Sequence, residues 1–186
     1  MVQNSKKILL HACCGICSAY PISLLKEMGY EVIVYFSNSN LDTQDEFNKR
    51  LNAQNKVCNY HNVKLIVSEY NHNEYLDYIK GLENEPERGE RCKKCILYRL
   101  KKTVQKAKEL GIDFYTTSLP ISPHKKFDMI VELANSINND IKFIAIDFKK
   151  KDGFVKTNKL AKELEIYRQN YCGCEFAKSH LLKEGE

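Results

Sequence analysis

Short apolar runs alternate with longer amphipathic stretches along the whole chain. Residues 8–12, 31–36, 63–67, 112–117 and 142–148 are rich in aliphatic and aromatic side chains and are read as five strands. Apolar positions recurring at three or four residues predict helices over 19–28, 45–61, 74–80, 92–110, 125–137 and 158–165. In the second of these, Phe47, Leu51, Asn55 and Cys58 keep that spacing, while Gly29 and Gly111 stop the first and fourth. Residues 82–91 are charged and contain Pro86 and Gly89, so they read as a loop. Residues 120–123 form a turn and 149–154 a basic turn carrying Asp152-Gly153; a cysteine-bearing tail follows the last helix.

Strand–helix alternation of this kind predicts an α/β fold. The expectation is a single Rossmann-like domain: a mostly parallel five-stranded sheet with helices on both faces and right-handed crossovers. In such sheets, sites form in crevices at the carboxyl ends of strands. The chain has 186 residues and shows no internal repeat or domain-scale linker. One domain over 7–178 is expected, with a flexible tail over 179–186.

Composition adds the setting. The chain is 43% hydrophobic and 28% charged, ordinary for a soluble globular protein. The run Ile8-Leu9-Leu10 is too short for a secretory signal, and no stretch approaches the roughly 18 apolar residues of a membrane span. A cytoplasmic protein with reduced thiols and no membrane partner is expected. The net charge of +5 is compatible with an RNA partner and also with a merely lysine-rich surface.

The cysteines change the picture most. Seven of eight fall into three clusters: Cys13-Cys14-x-x-Cys17, Cys92-x-x-Cys95 and Cys172-x-Cys174. Closely spaced thiols in a reducing compartment read as metal ligation or redox chemistry. Cys92-x-x-Cys95 alone suits half a zinc site, a redox pair or part of an iron–sulfur cluster. At a helix start its thiolates are favoured by the dipole and by Arg88, Arg91 and Lys93. Adjacent Cys13 and Cys14 need an unusual backbone to serve one centre, which Gly15 would permit. Bridging Cys172 to Cys174 would close a small, strained ring of the easily reduced, catalytic kind. Cys58 reads as a small buried hydrophobe. Structural zinc throughout stays open as the alternative.

Other positions carry possible chemistry. His124, after Ile121-Ser122-Pro123, suits anion binding or proton delivery; Ser122 as a plain helix cap explains the same residues. Lys149, Lys150 and Lys151 suit phosphate contact, or a solvated turn. Tyr167-Arg168-Gln169-Asn170-Tyr171 mixes aromatic faces with hydrogen-bonding groups, as readers of an unpaired base do, or packs over the core.

Taken together, five ordered motifs resemble the QueH family of cobalamin-independent epoxyqueuosine reductases. They are Leu10-His11-x-Cys13-Cys14-x-x-Cys17-Ser18, Gly81-Leu82-Glu83-x-Glu85-Pro86-Glu87-Arg88-Gly89-x-Arg91-Cys92-x-x-Cys95, Ile121-Ser122-Pro123-His124-Lys125, Asp147-Phe148-Lys149-Lys150-Lys151-Asp152-Gly153 and Tyr167-Arg168-Gln169-Asn170-Tyr171-Cys172-Gly173-Cys174. The resemblance spans 8–174. It implies a fold similar to the adenine-nucleotide hydrolases, although residues 12–18 replace their phosphate loop. It implies two-electron reduction of epoxyqueuosine at the tRNA wobble position, on tRNAs for Tyr, His, Asp and Asn with GUN anticodons. It implies Cys13, Cys14, Cys92 and Cys95 as ligands of a 4Fe–4S cluster, and Cys172 and Cys174 as a redox-active dithiol that closes to a disulfide. Three thiols holding the cluster, with Cys17 joining a second iron or zinc site, stays open beside this. His124 and Asp152 are candidate proton donors. Arg88, Arg91, Lys125, Lys149, Lys150, Lys151, Arg168 and Tyr171 are expected at the RNA interface. The electron donor is not identified. Gly15-Ile16 departs from the Ala-Pro common in the family. The rival readings are an iron–sulfur tRNA thiolation enzyme, a zinc-stabilised RNA-binding module and a thiol–disulfide reductase.

Overall fold

Ile8, Leu9 and Leu10 are all fully buried, because β1 (Lys6–His11) lies mid-sheet and its side chains enter a core on each face. The computed structural model describes residues 6–137 and 140–177. β2 (Tyr30–Phe36), β3 (Lys64–Val67), β4 (Phe114–Thr117) and β5 (Lys142–Phe143) complete a sheet of order β3-β2-β1-β4-β5, parallel at every pairing. α1 (Gly15–Glu27), α2 (Gln44–His61) and α6 (Gly153–Glu163) supply Ile22, Leu25, Ala53, Val57 and Ala161 to one core, against Ile8, Leu10, Val32 and Val34. On the other face α4 (Glu90–Leu110) and α5 (Phe127–Asn135) set Ile96, Leu100, Val104, Ile130 and Ala134 against Leu9, Ile33, Tyr35 and Tyr115. α3 (His72–Ile79) packs on α4. No described helix is long and apolar enough to cross a membrane.

The register aligns the carboxyl ends. His11 stands opposite both Tyr35 and Thr117, so the segments after β1, β2 and β4 emerge together. Between β1 and β4 the strand order departs from chain order, opening a crevice there.

Three boundaries differ from the sequence reading by about four residues or more, the others by one or two. β5 stops at Phe143 rather than 148. Thr116 Oγ1 donates to the Ile144 carbonyl at 2.8 Å, taking the acceptor a longer ladder would use. α1 begins at Gly15 rather than 19, because Cys14 caps it. α6 begins at Gly153 rather than 158, anchored by Thr157 Oγ1, which donates to the Ile16 carbonyl and accepts the Tyr20 N–H. The tail expected over 179–186 lies outside the described residues.

Candidate metal and thiol centre

Cys13 and Cys14 leave β1 directly into the crevice. Cys14 is plainly extended (φ −170°), and its Sγ accepts the Cys17 N–H at 3.4 Å as the cap of α1. Gly15 therefore permits no special turn; it matters because its missing Cβ leaves room for Ala53 on α2. The Cys13 and Cys14 sulfurs lie 3.9 Å apart, and with Cys17 all three fall within 4.8 Å of one another. A tetrahedral ion with metal–sulfur bonds of about 2.3 Å spaces two ligands by about 3.8 Å, so the trio can share one centre. Ser118, after β4, stands over it: its Oγ accepts the Cys13 N–H at 3.4 Å and lies 3.8 Å from Cys13 Sγ. Thiol hydrogen bonds from Cys14 and Cys17 hold Cys13 well below the usual thiol range, with Arg99 and His11 adding to them. The hydrogen bond with Cys13, with burial adding to it, pushes Cys14 up to about 12, and those with Cys13 and Cys14 raise Cys17 well above its ordinary value.

Cys92, Cys95, Cys172 and Cys174 line one cavity together with Tyr75, Arg99 and Lys125. Cys92, Cys95 and Arg99 share a face of α4 by spacings of three and four. The Arg88 N–H donates to Cys92 Sγ at 3.2 Å, and burial still raises that thiol. Lys125 Nζ sits 3.6 Å from Cys172 Sγ. Its charge draws Cys172 below the usual thiol range, with Arg99 and Arg50 assisting. Burial and the Cys172 charge push Cys174 up to about 12. Burial opposes the charge on Arg99, but the thiols of Cys95, Cys172 and Cys13 outweigh it and raise its pKa. Arg99 and Lys125 thus interact with Cys13 as well as with the cavity thiols, joining the two groups electrostatically. All eight cysteines are free thiols; the expected Cys172–Cys174 bridge is not formed. Cys58 is buried as expected, its pKa pushed up to about 11 by burial.

The tail is clasped from α2. Arg50 is 3% exposed and pairs with Glu46 at 2.6 Å. It donates to the carbonyls of Cys172 (3.1 Å) and Tyr171 (3.2 Å). Gly173 adopts φ +113°, and a Cβ there would run into Leu41 and approach Arg50 Nη2 to 2.9 Å. Tyr171 donates to Asp42 Oδ1 at 2.9 Å. Gln169 Nε2 reaches Cys14 Sγ at 2.8 Å, linking the tail to the trio.

The other expected residues divide. Lys125 points into the cavity rather than outward to a phosphate. Arg91 is also turned inward: it is 3% exposed, donates to the carbonyls of Glu83 and Glu85, and stacks on Phe176 at 4.4 Å. It organises the 82–89 loop from within. Lys149 Nζ is held by the Pro120 carbonyl at 3.0 Å. Lys150, Lys151, Arg88 and Arg168 are exposed. His124 is exposed and accepts from Arg88 Nη2 at 3.1 Å. Asp152 is exposed on a left-handed turn. Neither lines the cavity. Sequence reasoning gave no role to Arg50 or Arg99, and placed Gln169 only within a candidate base-reading segment. The spacing to Cys92 and Cys95 carried the signal for Arg99, and Arg50 sits one turn after Glu46 in the buried stripe of α2.

A family model described as epoxyqueuosine reductase QueH matches residues 8–180. The epoxyqueuosine reductase QueH of Streptococcus pyogenes is 39% identical over 178 residues, covering 91% of this chain and 69% of that protein. The Staphylococcus epidermidis protein of the same name is 35% identical, covering 96% and 78%. That of Thermotoga maritima is 31% identical, covering 91% and 89%. Among solved structures, the U34-tRNA thiolase NcsA of Methanococcus maripaludis, with its [4Fe-4S] cluster, aligns with a TM-score of 0.58 at 16% identity. It covers 99% of this chain and 68% of its own, a likeness of fold.

Proposed function

Since the chain belongs to the epoxyqueuosine reductase QueH family, we propose that it reduces epoxyqueuosine to queuosine at the wobble position of tRNA. The substrates are the tRNAs for Tyr, His, Asp and Asn with GUN anticodons, met in the cytoplasm. The observation that carries the chemistry is the cavity where four thiols meet three cations, Arg91, Arg99 and Lys125. The epoxide needs two electrons and two protons. Cys172 and Cys174 supply the electrons as they close to a disulfide, and the protons come from the Cys174 thiol and the Lys125 ammonium: the two C–O bonds break, a C=C bond and an S–S bond form, and the oxygen leaves as water. Lys125 keeps Cys172 as thiolate and faces the cavity, where an ammonium stabilises charge building on the leaving oxygen. It holds a proton there, which exposed His124 and Asp152 do not. The wobble nucleoside must leave its stack to reach such a crevice.

The donor set fits an iron–sulfur group, since seven thiols converge on one end of the sheet. Cys13, Cys14, Cys92 and Cys95 would hold a 4Fe–4S cluster, and Cys17 would serve a second iron or zinc ion. Such a cluster would supply single electrons; held by only three of the thiols, it would add Lewis acidity at the open iron. Arg88, Lys150, Lys151 and Arg168 are the exposed cations that would meet phosphate.

Anaerobic purification with iron, sulfide and zinc analysis, followed by turnover of epoxyqueuosine-containing tRNA, tests this reading. Brown protein with about four irons and four sulfides, active unless Cys92 or Cys172 is changed to serine, is expected. Colourless, inactive protein that holds zinc and refuses iron would put the zinc-stabilised RNA-binding module in its place.

A further inference from the structure

Tyr75 is 1% exposed and forms one wall of the thiol cavity. Tyr98 packs against it edge-on, ring centroids 5.9 Å apart, and Tyr78 packs on Tyr98 at 5.0 Å. Tyr78 is half-buried. Two ring contacts therefore lead from the thiols to the outer surface of α3 and α4. Lysines crowd that exit: Lys94 and Lys101 place Nζ 5.5 and 5.9 Å from the Tyr78 centroid, and Lys102 lies 5.5 Å from that of Tyr98. Lys102 is paired with Glu74. Lys94 and Lys101 have no carboxylate within ion-pair distance among the described residues. This surface belongs to the α3–α4 side of the sheet, whereas the exposed Lys150 and Lys151 lead into α6 on the opposite side.

We propose that the Tyr78–Lys94–Lys101 surface docks a small acidic one-electron carrier protein, which re-reduces the thiol centre across the Tyr98–Tyr75 wall. The inference rests on the reductase reading above. A hydride donor must touch its acceptor, and from this side two packed rings stand between; only electrons cross such a wall. Tunnelling weakens with every empty gap, and rings in edge-on and tilted contact leave little empty space between them. The rings remain closed-shell throughout. Two carriers each give one electron, solvent gives two protons, and the Cys172–Cys174 disulfide returns to two thiols while both carriers are oxidised. Unpaired lysines around the exit complement an acidic partner and speed encounter.

The probe is an acidic ferredoxin, pre-reduced and freed of excess dithionite, with the full metal-loaded chain. Its affinity and its rate of reoxidation during turnover of epoxyqueuosine tRNA are measured against salt. A Lys94→Glu/Lys101→Glu variant should bind the ferredoxin more weakly and reoxidise it about tenfold to a hundredfold more slowly at low salt, the difference fading as salt rises. Its turnover driven by dithionite alone should equal that of the unaltered chain. A Tyr78→Leu variant should slow transfer at saturating ferredoxin while keeping the salt dependence. Unchanged binding and rate in the charge-reversed variant, or no electron transfer from ferredoxin to the unaltered chain, would overturn the docking surface. Absence of dithionite-driven turnover in the unaltered chain would instead overturn the reductase reading.

Discussion

Lys125 Nζ lies 3.6 Å from Cys172 Sγ, and the ammonium is the main reason that thiol ionises early. Replacing Lys125 with Met removes the charge and keeps the bulk. The pH at which Cys172 begins to react with iodoacetamide should then move up, because only the thiolate attacks. Mass analysis of the modified peptide over pH 6–9 reads this out; coincident profiles would detach Lys125 from Cys172. His11 offers a second test. Its Nδ1 contacts Thr117 Oγ1 at 2.9 Å and its Nε2 the Ser37 carbonyl at 3.3 Å. Burial, with Arg99 facing it, lowers its pKa to about 4 from 6.5. The unfolded chain thus binds a proton that the folded chain refuses, so stability is full above pH 6.5 and is lost on acidification towards about 4. The loss from this group is about 3 kcal/mol. Urea unfolding at stepped pH should show it, with a shallower slope in a His11→Asn variant; parallel slopes would refute it. The motif at His11 was visible in the sequence, but its neutral, walled-in state depends on β2 and β4, which no local pattern joins to β1.

The start of α1 shows how an element and a site become one object. Apolar periodicity placed the helix from 19, since the cysteines before it carry no core pattern. The structure starts it at Gly15, with the Cys14 sulfur standing where a serine or aspartate oxygen usually does. A thiol cap is not among the signals that end-of-helix reasoning looks for. β1 and β2 were legible because buried parallel strands are apolar on both sides, and β3 and β4 because they are rich in β-branched and aromatic residues. β5 was overextended because Ile144 and Ile146 pack against the core from irregular backbone, so burial continued after pairing had ceased. At Gly15 the close approach of α2 sets a measurable limit. A Cβ there would meet the Ala53 carbonyl carbon at 2.8 Å, and that atom is backbone. Gly15→Ala should therefore cost about 1–3 kcal/mol in urea unfolding. A neutral outcome would mean that α2 shifts outward freely.

At the scale of the molecule, parallel pairing sends every strand's end to one edge, and three cysteine motifs far apart in sequence meet there. That convergence was legible, because thiol spacing and strand–helix alternation both pointed to it. Which cations face inward was not, since a lysine or arginine looks the same in sequence whether it meets a thiol or a phosphate. The structure separates them. Lys125, Arg91 and Lys149 are held by protein groups, whereas Lys150 and Lys151 project from a turn kept in place by the Gly153 N–H to Lys150 carbonyl bond at 3.2 Å. Each phosphate contact releases condensed counterions, so its loss flattens the dependence of log affinity on log salt by a little under one. Replacing Lys150 and Lys151 together with alanine should lower that slope by about two for the substrate tRNA, weakening binding most at low salt. Lys149→Ala should leave the slope unchanged, since its ammonium already holds the Pro120 carbonyl. Filter binding from low to moderate salt distinguishes these outcomes. An equal fall for Lys149 would mean that the turn reorganises on the RNA, and no fall for the pair would move the tRNA to another face of the protein.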